Sequence, residues 1–93
     1  MQSQAFDLGS VRKNAVVTVL LQATANVRLM TQKNFQAYKS RKFYRMLGGV
    51  AIAPIFKITV PANGHWILVI DVDGLNAPLL RTRFYIEDDP PGS

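Results

Sequence analysis

The chain contains one histidine, His65, and it stands beside the only tryptophan, Trp66. An imidazole can act as a base or a ligand, and an indole can stack on a sugar. No serine in the chain sits in a nucleophile-elbow motif, so no acyl-transfer triad takes shape around His65. The plainer account puts Trp66 in the core and His65 at the close of a hairpin. Asp71-Val72-Asp73-Gly74 imitates the opening of a calcium loop. Asn76 adds an oxygen, but no carboxylate follows until Glu87, so the ligand set is incomplete, and a strand end with an Asp-Gly turn explains the residues. With no cysteine, disulfides, thiolate nucleophiles and cysteine-ligated zinc are excluded. The expectation is a domain with no catalytic residues, no metal and no cofactor.

A different chemistry is offered by Lys33, Lys39, Arg41, Lys42, Phe43, Tyr44 and Arg45. Cations that reach phosphates, interleaved with rings on which bases stack, suit single-stranded nucleic acid or another polyanion. The competing account is a solvated loop with its aromatics anchored inward. Arg28, on the opposite side of its strand from Val27 and Leu29, either satisfies buried carbonyls or pairs with a carboxylate, or instead holds a carboxylate or phosphate ligand bidentately. Charge is unevenly placed along the chain. Residues 1–60 carry nine basic side chains and one acidic, Asp7, whereas residues 61–93 carry two basic and five acidic. Such asymmetry permits an anionic partner without demanding one.

Ninety-three residues make one domain, with an expected ordered core at about 6–88; the closing Gly92-Ser93 is set aside as a cloning remnant. The longest apolar run, Ala15 to Leu21, is too short to span a bilayer, and the first residues lack a signal-peptide pattern. A cytoplasmic protein that does not engage membranes is expected.

The elements that must position these groups are strands. Val16 to Ala25 alternates with period two, and Val27 to Met30 is a short further strand or a continuation beyond a bend. Phe43 to Ile52 is a further candidate, with a bulge or bend at Gly48-Gly49. Ile55 to Val60, Trp66 to Val72 and Leu79 to Ile86 are the clearest. Phe35 and Tyr38, three apart, suit a short helix within residues 31–42. A three-residue loop from Ala62 to a left-handed Gly64 would oppose Val60 to Trp66 and Ile58 to Leu68, keeping large apolar groups together. Extending the meander aligns Leu80, Thr82, Phe84 and Ile86 with the same face. The early strands then form a second sheet over it, giving an all-β, antiparallel β-sandwich. The meander's other face carries Ile67, Val69, Asp71, Arg81, Arg83 and Tyr85, with an ion pair expected between Asp71 and Arg81.

Phe6-Asp7-Leu8-Gly9, Asn26-Val27-Arg28-Leu29-Met30, Asn34-Phe35 with Tyr38, Gly48-Gly49, and Pro61 followed by Gly64-His65-Trp66 and Asp71 occur in that order. In these pieces the chain resembles the bacterial domain of unknown function 1883 family, over roughly Phe6 to Ile86. The resemblance implies a compact β-sandwich, sometimes found beside signalling domains of the Toll/interleukin-receptor type. It supplies no reaction. The Pro-x-x-Gly-x-Trp piece is also similar to one in β-sandwich accessory domains that bind carbohydrate or pack on a neighbour.

Three functions follow as expectations. The first is a non-enzymatic interaction module that binds a protein partner or itself through the Ile67–Val69 face. The second is polyanion or single-stranded nucleic-acid binding through Lys33, Lys39, Arg41, Lys42 and Arg45. The third is a small-molecule or carbohydrate module with Arg28 and His65 as ligand contacts, or a hydrolase using His65.

Overall fold

The computed structural model describes residues 3–88; Gly92 and Ser93 lie outside the described residues. Seven strands and one helix follow in the order β1 (Ser3–Val11), β2 (Val16–Leu20), β3 (Ala25–Thr31), α1 (Gln32–Lys39), β4 (Leu47–Ala51), β5 (Ile55–Thr59), β6 (Gly64–Asp71) and β7 (Arg83–Glu87). They form a four-stranded sheet, β1-β6-β3-β4, and a three-stranded sheet, β5-β2-β7, with antiparallel pairing throughout. The chain is a small β-sandwich with one short helix, as its strand pattern implies. No helix among the described residues is long and apolar enough to cross a membrane.

The interior is built from alternate residues of both sheets. Val17 and Val19 of β2, Val27 and Leu29 of β3, and Trp66, Leu68 and Ile70 of β6 belong to one buried cluster. Every residue of β6 from Trp66 to Asp71 is buried. That explains its unbroken apolar run, since both faces of the strand are covered. Trp66, Leu68 and Ile70 meet the other sheet. Ile67 and Val69 meet Met30 and Tyr38 in a second cluster, against which Phe35, Tyr44 and Met46 pack.

The expected meander is corrected here. β6 pairs with β1 and β3, and β7 pairs with β2, where Phe84 opposes Val19. Trp66 is opposite Thr31 and Gly9 rather than Val60. Val60 instead extends the pairing of β5 with β2, its N–H donating to Ala15 O and its carbonyl accepting from Asn14 N, both at 2.8 Å. The chain therefore crosses from one sheet to the other between β5 and β6. Gly64 lies within β6 and is not left-handed. Asn63 Oδ1 accepts from Lys13 N at 2.7 Å, and Trp66 Nε1 donates to Ala62 O at 3.0 Å. The physical reason lies in period-two patterning, which fixes the side of a strand that is buried but not its hydrogen-bonding neighbour. Phe56, Ile58 and Val60 do join the cluster of Trp66, Leu68 and Ile70, but from the opposing sheet. Because α1 follows β3 directly, a place beside β3 also brings Ile67 and Val69 under the helix.

β1 has no counterpart among the strands expected from the sequence. Its Gln4, Phe6 and Leu8 are half-buried, while Ala5 and Asp7 are exposed. A register shift between Asp7 and Gly9 interrupts its ladder, with Gly9 at φ 68° and its N–H donating to Asp7 Oδ1 at 2.8 Å. Gly48, at φ 106°, packs so closely on the Val27 carbonyl that a side chain there would clash with it. Gly48 and Gly49 lie within β4, paired in continuous register with Arg28 and Val27, and the close approach at Gly48 brings β4 tightly against β3.

Candidate anion-binding surface around the loop of residues 40–46

The outer face of the four-stranded sheet carries a polar network centred on Asp71. Its carboxylate is fully buried, and Asn26 opposes it directly on β3. Asn26 Nδ2 donates to Oδ1 at 2.7 Å, Arg28 Nε to Oδ2 at 2.8 Å, Tyr38 Oη to Oδ2 at 2.8 Å, and Asp73 N to Oδ1 at 3.1 Å. Burial pushes the Asp71 carboxyl up. The bonds from Arg28, Asn26, Tyr38 and Asp73 outweigh it and hold the pKa below the ordinary carboxylate value. Burial, with the neighbouring Asp71 carboxylate, raises the Tyr38 phenol to about 12. The partner expected for Asp71, Arg81, is exposed and elsewhere; Gln22 Nε2 donates to its carbonyl. Arg28 occupies that role because β3, not β7, is the neighbour of β6.

Arg28 links this network to the segment after the helix. Its Nη1 donates to Tyr44 Oη at 2.9 Å. Tyr44 meets Tyr38 edge-on, with ring centroids 5.3 Å apart. The helix ends in a Schellman arrangement: Lys42 N donates to Ala37 O at 2.9 Å, and Arg41 N to Tyr38 O at 3.2 Å. Arg41 holds the left-handed position, φ 58°, that glycine usually fills. Past the loop, Arg45 N donates to Asn34 Oδ1 at 2.9 Å. The loop of residues 40–46 is thus pinned on both sides of Phe43, and Phe43 itself is fully exposed, at 105% relative accessibility.

Two shallow hollows flank the Phe43 ring. One is lined by Arg41, Lys42, Phe43 and Tyr44, the other by Lys33, Asn34, Phe43, Tyr44 and Arg45. The first adjoins a cleft of about 350 Å³ lined by Arg28, Tyr38, Arg41, Lys42, Tyr44 and Asp73. Between Asp7 and Asp71 the sequence has no acidic residue. Asp71 is committed to Arg28, so Asp73 is the one carboxylate that lines the cleft. Lys39 departs from the group, with its ammonium over the Phe35 ring at 4.9 Å. What the arrangement can do is hold an anion between cations while one aromatic ring stays open to stacking or insertion.

The other sequence-derived candidates lie apart. Ile67, Val69 and Asp71 sit beneath α1, whereas Arg83 and Tyr85 belong to the other sheet and Arg81 to the segment before β7. The expected shared face of Ile67, Val69, Asp71, Arg81, Arg83 and Tyr85 therefore does not exist. His65 is exposed and hydrogen-bonds Asp7 across the β1–β6 pair. The Gly9 N–H, followed by His65, holds the Asp7 carboxyl below its ordinary value. His65 is six residues from Asp71 on one strand, about 20 Å away at the usual rise, so it and Arg28 do not share a site. Trp66 is buried, which leaves little of its ring open for a sugar to stack on. Among the described residues no group of three or more His, Asp and Glu side chains gathers to hold a metal. The role of Phe43 as an open ring carries little sequence signal, because Phe43-Tyr44 gives no indication of which of the pair turns inward.

No curated protein and no solved structure matches the chain. A family model described as a domain of unknown function, DUF1883, matches residues 1–83, a span that holds β1 to β6 with the loop of residues 40–46, and the chain belongs to that family.

Proposed function

We propose that the domain is a non-enzymatic module that binds single-stranded nucleic acid through the loop of residues 40–46. The observation that carries this reading is Phe43, fully exposed between two hollows lined by cations. A base stacks on the ring, contributing about 1–3 kcal/mol, while the phosphates before and after it lie against Arg41 and Lys42 on one side and Lys33 and Arg45 on the other. The pinned loop limits the ordering cost of binding.

Fluorescence anisotropy of a labelled single-stranded oligonucleotide at increasing salt tests the reading. Four cations engaged with phosphates give a slope of log affinity against log salt of about −3. Binding to vesicles of anionic phospholipid with none to the oligonucleotide overturns it in favour of a membrane surface. Binding to neither removes it altogether.

A second reading, association with a protein partner or a second copy, is favoured by the exposed Val50, Ile52 and Ile55 at the β4–β5 connection. It no longer involves Ile67 and Val69. Solution mass of the wild type and of Ile52→Glu separates a monomer from an assembly that the charge disrupts.

A further inference from the structure

The cleft beside Phe43 has a feature that plain attraction for phosphate does not account for. Its lining includes Asp73, an acidic residue, as well as Arg41 and Lys42. Both Asp73 contacts to the Asp71 network run through its main chain, the N–H to Asp71 Oδ1 and the carbonyl from Asn26 Nδ2 at 2.9 Å. Among the described residues the Asp73 carboxylate takes part in no salt bridge and in no side-chain hydrogen bond. Arg28, half-buried and fixed by Asp71 and Tyr44, forms part of the same wall. A carboxylate opposes a bare phosphate and receives a hydroxyl. A ligand that suits cations and a free carboxylate in one cleft carries a phosphate with an O–H donor close to it.

The hollow at Phe43 and the cleft share Arg41, Lys42 and Tyr44, whereas Arg28 and Asp73 line only the cleft. A nucleotide whose base stacks on Phe43 and whose phosphate rests on the shared Arg41 and Lys42 can extend its sugar into the cleft that Asp73 lines. In RNA the 2′-hydroxyl adjoins the 3′-phosphate; in DNA that donor is missing. We infer that this domain discriminates ribose from deoxyribose, with Asp73 accepting the 2′-hydroxyl of a single-stranded RNA. The inference rests on the reading of the loop as a nucleic-acid surface.

The test compares anisotropy titrations of a labelled oligouridylate and its deoxyuridine counterpart, equal in length, with the wild type and Asp73→Ala. The wild type binds the ribo-oligomer roughly tenfold more tightly, the size expected of one hydrogen bond to a charged group. Asp73→Ala moves the two ligands in opposite directions. It weakens the ribo-oligomer, which loses an acceptor, and strengthens the deoxy-oligomer, which loses a repelling charge. Since the Asp73 contacts to the network are main-chain, the variant keeps the wild-type fold, checked by its urea midpoint. Equal wild-type affinities, or strengthening of both ligands by Asp73→Ala, overturn the inference and leave the loop reading in place. Absence of binding to either oligomer overturns both.

Discussion

Arg28 donates its Nε–H to the buried carboxylate of Asp71 at 2.8 Å, and the same guanidinium holds Tyr44 at 2.9 Å. One side chain thus joins the centre of the sheet to the loop that bears Phe43. The two partners are unequally placed, since the Asp71 side chain is 0% accessible and that of Arg28 19%. Removing Arg28 strands a charge that water cannot reach, whereas removing the charge of Asp71 leaves a cation that can. Arg28→Ala is expected to cost about 3 kcal/mol, and Asp71→Asn distinctly less. Urea unfolding of both variants checks the order.

The same pair sets a response to acid. The folded-state pKa of Asp71 lies below its unfolded value of 3.8. Its stabilising contribution is therefore complete above the ordinary carboxylate range and is lost as pH falls through the folded value. The wild type should lose stability below about pH 4 more steeply than Asp71→Asn. Tyr38 has the opposite sign. Its phenol, at about 12 in the folded domain, favours folding below about pH 10 and loses that contribution as pH rises towards 12. Urea midpoints across both windows, with Tyr38→Phe as the alkaline control, read the two effects.

Arg41 occupies a backbone conformation that costs a non-glycine residue about 1 kcal/mol, and it does so where its side chain lines the cleft. Arg41→Gly relieves that strain, partly offset by a more flexible unfolded chain. The variant should be about 0.5 kcal/mol more stable while binding oligonucleotide more weakly. Its salt slope should shrink by about 0.7, one phosphate contact. Melting curves and anisotropy on one preparation check both signs.

The inward-facing residues of β2, β5 and β6 were legible, because alternation at Val17, Val19, Ile58, Val60, Trp66, Leu68 and Ile70 has one explanation. Strand partners were not legible, because β5 reaches the same core whether it lies beside β6 or across from it. β1 is not legible for a related reason: its alternation rests on Phe6 and Leu8 alone, with Asp7 and Gly9 suggesting a turn. Arg28 and Asp71 were each visible as charges needing partners, but 43 residues separate them, and only the β3–β6 register brings them together. The basic-aromatic run was legible as chemistry. That Tyr44 turns inward to Arg28 while Phe43 turns outward depends on the helix end and on the bond from Arg45 to Asn34.

The central claim is that Phe43 is the open ring of a nucleic-acid surface. Its most direct test is the affinity of Phe43→Ala for single-stranded oligonucleotide, measured beside the wild type over a range of salt. Phe43 touches little of the protein, so the variant should unfold at the wild-type urea midpoint. Binding should weaken roughly tenfold with the salt slope unchanged, because the ring carries no charge. A variant that binds as tightly as the wild type would contradict the account.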